Sequence, residues 1–272
     1  MSWKVLIGAL AISFLVSAAI VIVGFAIETL RPARRQSFLA ASLNLKYLIP
    51  YSVLPLAYLP LAGAFVVAVV NAAGGGWITL PDSGWWFVVS VVAFTFAMDF
   101  AEFSFHVAQH RIPFLWALHS LHHSDPEMNV STAQRHFWAD RALKMLSVYP
   151  LVAVVFKAGP GVLAAYVLIS YYNFFPHMNL RLGLGRWSWL INSPQYHRLH
   201  HSFRAEDRDK RFAAIFPIFD VIFGFYIRPA AGDYPPTGLD DGDHPSSVTE
   251  AVLWPVRSIA RGFGRPRNRI LS

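Results

Sequence analysis

Ten of the eleven histidines fall between His106 and His201, and one apolar stretch divides them. His106, His110, His119, His122, His123 and His136 precede it; His177, His197, His200 and His201 follow it. Imidazoles packed this densely disfavour protonation and leave buried nitrogens needing partners. A metal ion answers both needs, because neutral imidazole binds iron, zinc and copper well. If the two sets share a site, the chain between them must leave one side of the molecule and return to it. The stretch divides into Leu146–Phe156, a Lys157-Ala-Gly-Pro-Gly161 turn signal and Val162–Phe175. Each arm makes roughly 18 Å of helix, too short for a bilayer. The expectation is a membrane-dipping helical hairpin with its Gly-Pro-Gly tip buried in protein or near the far headgroups. A single continuous span, the alternative, would place the two sets on opposite sides.

The chain has 272 residues, 55% hydrophobic and 14% charged, where soluble domains carry nearer a quarter. It therefore reads as one membrane-embedded domain. Val5–Ile27 is too long for a signal-peptide core and is followed, not preceded, by the basic Arg31, Arg34 and Arg35, so it reads as a retained span. Tyr47–Ala73, with Pro50, Pro55 and Pro60, reads as a second, kinked span, and Trp85–Phe105 as a third. The basic flank places Arg31–Arg35, and with it His106, on the cytoplasmic side.

The expected fold is thus all-α and membrane-integral: three transmembrane helices in 1–105, a first histidine region in 106–145, the hairpin in 146–175, a second histidine region in 176–228, and a cytoplasmic loop and basic tail in 229–272. The histidine regions form a cytoplasmic helical cap. The net charge of +7 comes from residues flanking apolar runs, without the basic–aromatic interleaving of a nucleic-acid groove, so nucleic acid is excluded as a partner. Cysteine is absent, which excludes thiolate metal sites and leaves nitrogen and oxygen ligands.

His106 and His110 are four apart; His119/His122/His123 and His197/His200/His201 repeat spacings of three and four. Each unit reads as one helical face that aims two or three rings at a point, and together with His177 they could supply two ions. Asp99, Asp125 and Asp220 stand near these units as candidates to orient imidazoles from behind.

The stretches His106–Ser124, Phe175-Pro-His177-Met-Asn179 and Pro194–Ser202 resemble the histidine boxes of the fatty acid hydroxylase / sterol desaturase superfamily of membrane-bound non-haem di-iron oxygenases. The resemblance covers roughly residues 100–225. It implies metal ligation by His106, His110, His119, His122, His123, His177, His197, His200 and His201. Some members carry a further histidine where this chain has Asn173, which then stands as a weak oxygen ligand or a water-holder. His136 lacks the family's following proline and reads as supporting or structural. The family's Asn-Tyr-Gly is Arg211-Phe-Ala here, and its Trp-Asp-x-x-Phe-Gly is Phe219-Asp220-Val-Ile-Phe223-Gly224.

The resemblance implies two iron ions, replaceable by zinc in a structure, with O2 as co-substrate and an apolar lipid hydroxylated or desaturated in a bacterial-type inner membrane. Without cysteine for an iron–sulfur cluster, electrons come from a separate protein, for which Arg204–Arg211 and the basic tail offer a docking face, unless that charge run is only solvated. A zinc-dependent lipid hydrolase would want His-Glu-x-x-His, which is absent. A metal transporter would place its site at the bilayer midplane rather than beside the spans.

Overall fold

The computed structural model describes residues 3–260, so the basic residues expected in the tail beyond Ala260 lie outside the described part. It is predominantly helical. Among the described residues, two helices are long and apolar enough to cross a membrane, α1 (Trp3–Glu28) and α4 (Trp86–Arg111). At 26 residues, α4 is about 39 Å long. The expected second span is broken. α2 (Phe38–Val53) and α3 (Leu59–Ala72) are separated by a 3-10 turn at Leu54–Ala57 and bent by 55°, so they make a third crossing only if the bent pair counts as one span. Pro55 and Pro60 lie at the break, where each removes a backbone donor.

The hairpin region folds as helix, turn and helix, with an addition that the sequence pattern did not suggest. α6 (Asp140–Leu146) and α7 (Val148–Val155) run along α4, and α8 (Pro160–Ser170) returns. Between them β2 (Phe156–Ala158) pairs in parallel with β1 (Ile78–Leu80), from the loop before α4. The tip therefore reaches the end of α4 opposite the histidines. There the Asp82 carboxylate accepts hydrogen bonds from Gly161 N (3.0 Å) and Val162 N (2.8 Å), capping α8. A Cβ on Gly159 or Gly161 would meet that carboxylate at 2.6–2.7 Å, which explains the Gly-Pro-Gly composition.

At the other end, Pro113 forces Ile112 into an extended conformation and turns the chain from α4 straight into α5 (Pro113–His123). α9 (Phe174–His177) and α10 (Pro194–His200) meet α5 there. Ser193 caps α10 at Tyr196 N, with Pro194 in the first turn. α11 (Ile218–Ile222) lays Phe219 and Phe223 against Phe100 and Phe103 of α4. Within the described residues, the C-terminal region carries two short helices. Ser247 caps α12 (Val248–Val252), and Trp254 at the start of α13 (Trp254–Ala260) is buried, its Nε1 donating to Ser120 Oγ at 2.9 Å. An indole buries a large apolar area and still satisfies its one donor there.

Replacing Asp82 by Ala removes the cap of α8 and should lower stability by about 1 kcal/mol. Thermal unfolding in detergent should show this as a reduced midpoint, with α4 and the histidine end unaffected in limited proteolysis.

Candidate metal centre

Four helices bring the nine histidines of the three boxes and the Phe-Pro-His element together. One nitrogen each from His106, His110, His119, His123 and His200 lies within 4.8 Å of the others, and the same holds for His122, His177, His197 and His201. The units do not each aim at one point, as their spacing suggested. α5 sends His119 and His123 to the first group and His122 to the second; α10 sends His200 to the first, while His197 and the following His201 go to the second. Adjacent residues on a helix point about 100° apart, so His122 and His123 cannot share a target, whereas residues four apart can. The two groups touch: the His123 and His201 rings stack with centroids 4.3 Å apart.

The tautomers show what these groups are built to hold. His106 Nδ1 lies 2.7 Å from Phe212 O, His200 Nδ1 2.8 Å from Lys210 O, and His177 Nδ1 2.6 Å from Asn173 O. A carbonyl can only accept, so each Nδ1 carries the hydrogen and each neutral ring keeps a bare lone pair at Nε2. Yet His106 Nε2 and His200 Nε2 face each other at 3.1 Å. In the second group His177 Nε2 stands 3.1 Å from His122 Nε2 and 3.0 Å from His197 Nε2, so three ring nitrogens converge there with only the His177 tautomer fixed by a carbonyl. Facing lone pairs repel unless a proton or a cation lies between them. Protonation is opposed: burial first, and then neighbouring imidazoles, hold His200, His122 and His197 well below the usual histidine range. Burial brings His177 down to about 4.

A metal cation fits instead. Two ligands at right angles on an ion about 2.1 Å away stand about 3 Å apart. Neither buried nitrogen of His119 has a hydrogen-bond partner, which points the same way.

The charged run Arg204–Arg211 forms a wall of this centre. Arg204 pairs with Asp207 and Asp233, Arg208 with Asp240, and Arg211 with Asp207, so these arginines are occupied within the chain. The segment presents the Lys210 and Phe212 carbonyls to His200 and His106, and Asp209 Oδ1 lies 3.4 Å from His110 Nδ1. Asp209 and Arg211 adopt left-handed backbone conformations with φ of 53° and 63°. Such strain is uncommon outside glycine, asparagine and aspartate and clusters at functional sites. Arg211 is held there by Asp207, the Ile227 carbonyl and the Phe225 carbonyl.

The carboxylates expected to orient imidazoles directly do so at one remove. Asp220 accepts from Phe212 N, Ala213 N and the Tyr196 hydroxyl, and burial raises it to about 6. Asp99 accepts from Ile215 N and Phe216 N. Both therefore fix the strand of chain that carries the Phe212 carbonyl. Asp125 accepts from Asn44 Nδ2 and Thr132 Oγ1, beside Arg135, whose guanidinium binds the Leu121 and Ser124 carbonyls at the end of α5. None of the three hydrogen-bonds an imidazole; behind His106, His200 and His177 main-chain carbonyls fill that place. Asn173 is exposed and acts on His177 through its backbone oxygen. His136 lies outside both groups, stacked on His122 at 4.0 Å. Asp209 was missed by sequence reasoning; its one signal is an aspartate's tolerance of the left-handed region.

The family model for fatty acid hydroxylases matches residues 91–225, which include every histidine of the two groups. The chain belongs to the fatty acid hydroxylase / sterol desaturase superfamily, and it is an integral membrane protein. Among curated proteins it resembles alkylglycerol monooxygenase of Xenopus tropicalis, 30% identical over 55% of this chain and 32% of that protein. The human alkylglycerol monooxygenase is 31% identical over 47% of this chain and 28% of its own length. The Caenorhabditis elegans protein of the same name is 29% identical over 60% and 31%. The matched stretch thus spans about a third of the length of these relatives. No solved structure matches the chain.

Stability without metal should depend on acid. The folded-state pKa of His177 is depressed from 6.5 to about 4, so its contribution is fully present above pH 6.5 and is lost as pH falls toward 4. The other buried rings act in the same direction. The melting temperature of chelator-treated protein should therefore fall between pH 6.5 and 4 and stay flat from pH 7 to 8. Asp220→Ala, which strands three buried donors, should cost about 3 kcal/mol or more in the same measurement at pH 7.

Proposed function

We propose that the protein is an O2-dependent, non-haem di-iron oxygenase of the membrane that hydroxylates an apolar lipid. The observation that carries this reading is the facing Nε2 lone pairs of His106 and His200 in one group, together with the convergence of ring nitrogens in the other, where cations are the partners the rings lack. His106, His110, His119, His123 and His200 would hold one iron, and His122, His177, His197 and His201 the other. When bound, such a pair supplies O2 activation and the oxidising power to attack an unactivated C–H bond.

The chain's own residues do the rest. Phe212, Lys210 and Asn173 carbonyls hold three rings in the tautomer that leaves Nε2 free. Burial keeps the rings neutral and water away. The aromatic rings of Phe96, Phe100, Phe103, Phe219 and Phe223 pack as an apolar cluster against α4, in keeping with a hydrocarbon rather than a polar substrate.

Hydroxylation is favoured over desaturation because the named relatives are monooxygenases, and an alkylglycerol is the first substrate to test. Electrons would come from a separate protein, since the chain has no cysteine to hold an iron–sulfur cluster. The basic Arg31, Arg34 and Arg35 after α1 favour a cytoplasmic position for the centre, in a bacterial-type inner membrane.

Protein purified in detergent with ferrous iron should carry two irons per chain by elemental analysis. Under 18O2 with a reductant, it should place one labelled oxygen atom in the lipid product. His122→Ala, His177→Ala and His200→Ala should each cut turnover at least about 100-fold while the protein still inserts. Full activity in any two of these variants, or turnover by metal-free protein, would overturn the assignment.

A further inference from the structure

Residues 181–191 separate His177 from His197 and turn an apolar, basic face outward. Trp187 is 51% exposed, and Leu182, Trp189, Leu190 and Ile191 are exposed with it, interspersed with exposed Arg181 and Arg186. The exposure is built in. Arg181 N donates to Arg31 O and Gln195 N to Leu182 O. Asn192 donates to the Ala213 and Ala214 carbonyls and accepts from the Tyr172 hydroxyl, and Ser188 Oγ pairs with the Tyr226 hydroxyl. A loop anchored this firmly while presenting two indoles and three aliphatic side chains has a surface meant to be covered.

Its position says by what. Pro32 and Leu180 form an antiparallel bridge, which ties the loop to the segment where α1 leaves the bilayer; Leu30 there is 82% exposed. Arg31 and Arg35 of that segment are exposed beside it. The acids at this end of the molecule, Asp207, Asp233 and Asp240, are taken up by Arg204, Arg208 and Arg211. The Arg186 guanidinium lies 4.8 Å from the Trp187 ring centroid, and Arg181 lies 5.7 Å from that of Tyr234. Indoles at hydrocarbon depth with cations just outside them match the boundary between acyl chains and anionic headgroups.

We propose that residues 181–191 insert into the headgroup layer of the leaflet where α1 emerges. Trp187, Trp189, Leu190 and Ile191 enter the acyl boundary, and Arg31, Arg181 and Arg186 bind the phosphates of anionic phospholipids. Because the loop's ends continue into the elements carrying His177 and His197, the insertion fixes the distance of the centre from the lipid surface. None of this depends on which metal the centre holds.

The chain has no cysteine, so single-cysteine variants can be made directly in the full protein. Nitroxide-labelled Leu190→Cys and Asp241→Cys would be compared in nanodiscs of phosphatidylcholine with phosphatidylglycerol. The label at Leu190→Cys should collide with oxygen in preference to a water-soluble nickel chelate; the exposed Asp241→Cys position should show the reverse. Native mass spectrometry should show retained phosphatidylglycerol falling about fivefold in Arg186→Gln, the effect of ~1 kcal/mol per cationic side chain near an anionic surface, with phosphatidylcholine unchanged. A label at Leu190→Cys as accessible to nickel as that at Asp241→Cys would overturn the proposal. So would shielding from both reagents, which would mean a protein partner, or unchanged phosphatidylglycerol retention in Arg186→Gln.

Discussion

Nitrogen lone pairs that face one another inside a dry interior are the constraint on which this structure turns. Left alone they repel, and burial denies them the protons that would relieve the repulsion. The rest of the molecule holds the rings in that arrangement. Asp220 and Asp99 fix the strand whose carbonyl orients His106, while Arg135 holds the end of α5. If the proposed cations bind, such a network gains its missing partners, and metal binding and folding would then be thermodynamically linked.

How much of this could be read from the sequence varied with the kind of interaction. The histidines were legible because the residue type carries the chemistry, and α1 and α4 because long apolar runs have few other uses. The division of each His-x-x-His-His unit between two groups was overlooked, although the angular step of a helix contains it. Main-chain carbonyls have no sequence signature, so Phe212, Lys210 and Asn173 could not be picked out as the groups behind the rings; carboxylates were expected there instead. The strands β1 and β2 are three residues each, too short to leave a periodic trace. Trp254 lies in a short apolar run between a Pro/Gly/Asp-rich loop and basic residues, and only its contact with Ser120 shows its place.

The departure at Arg211 illustrates how a family pattern bends without breaking. Asparagine, which the family places there, enters the left-handed region readily. Arginine does not, yet Arg211 keeps that conformation because Asp207 and two backbone carbonyls hold its side chain and amide. The segment so held delivers the Lys210 and Phe212 carbonyls to His200 and His106, and Asp207 and Arg211 of the charged run serve to hold it.

Because α5 and α10 each give rings to both nitrogen cages, the separation of the cages is set by the angular step of a helix, as by a caliper. Neither cage can drift from the other unless a turn of α5 or α10 unwinds. The spacing between the two centres is therefore a property of the backbone, insensitive to what occupies them or to what comes and goes between them.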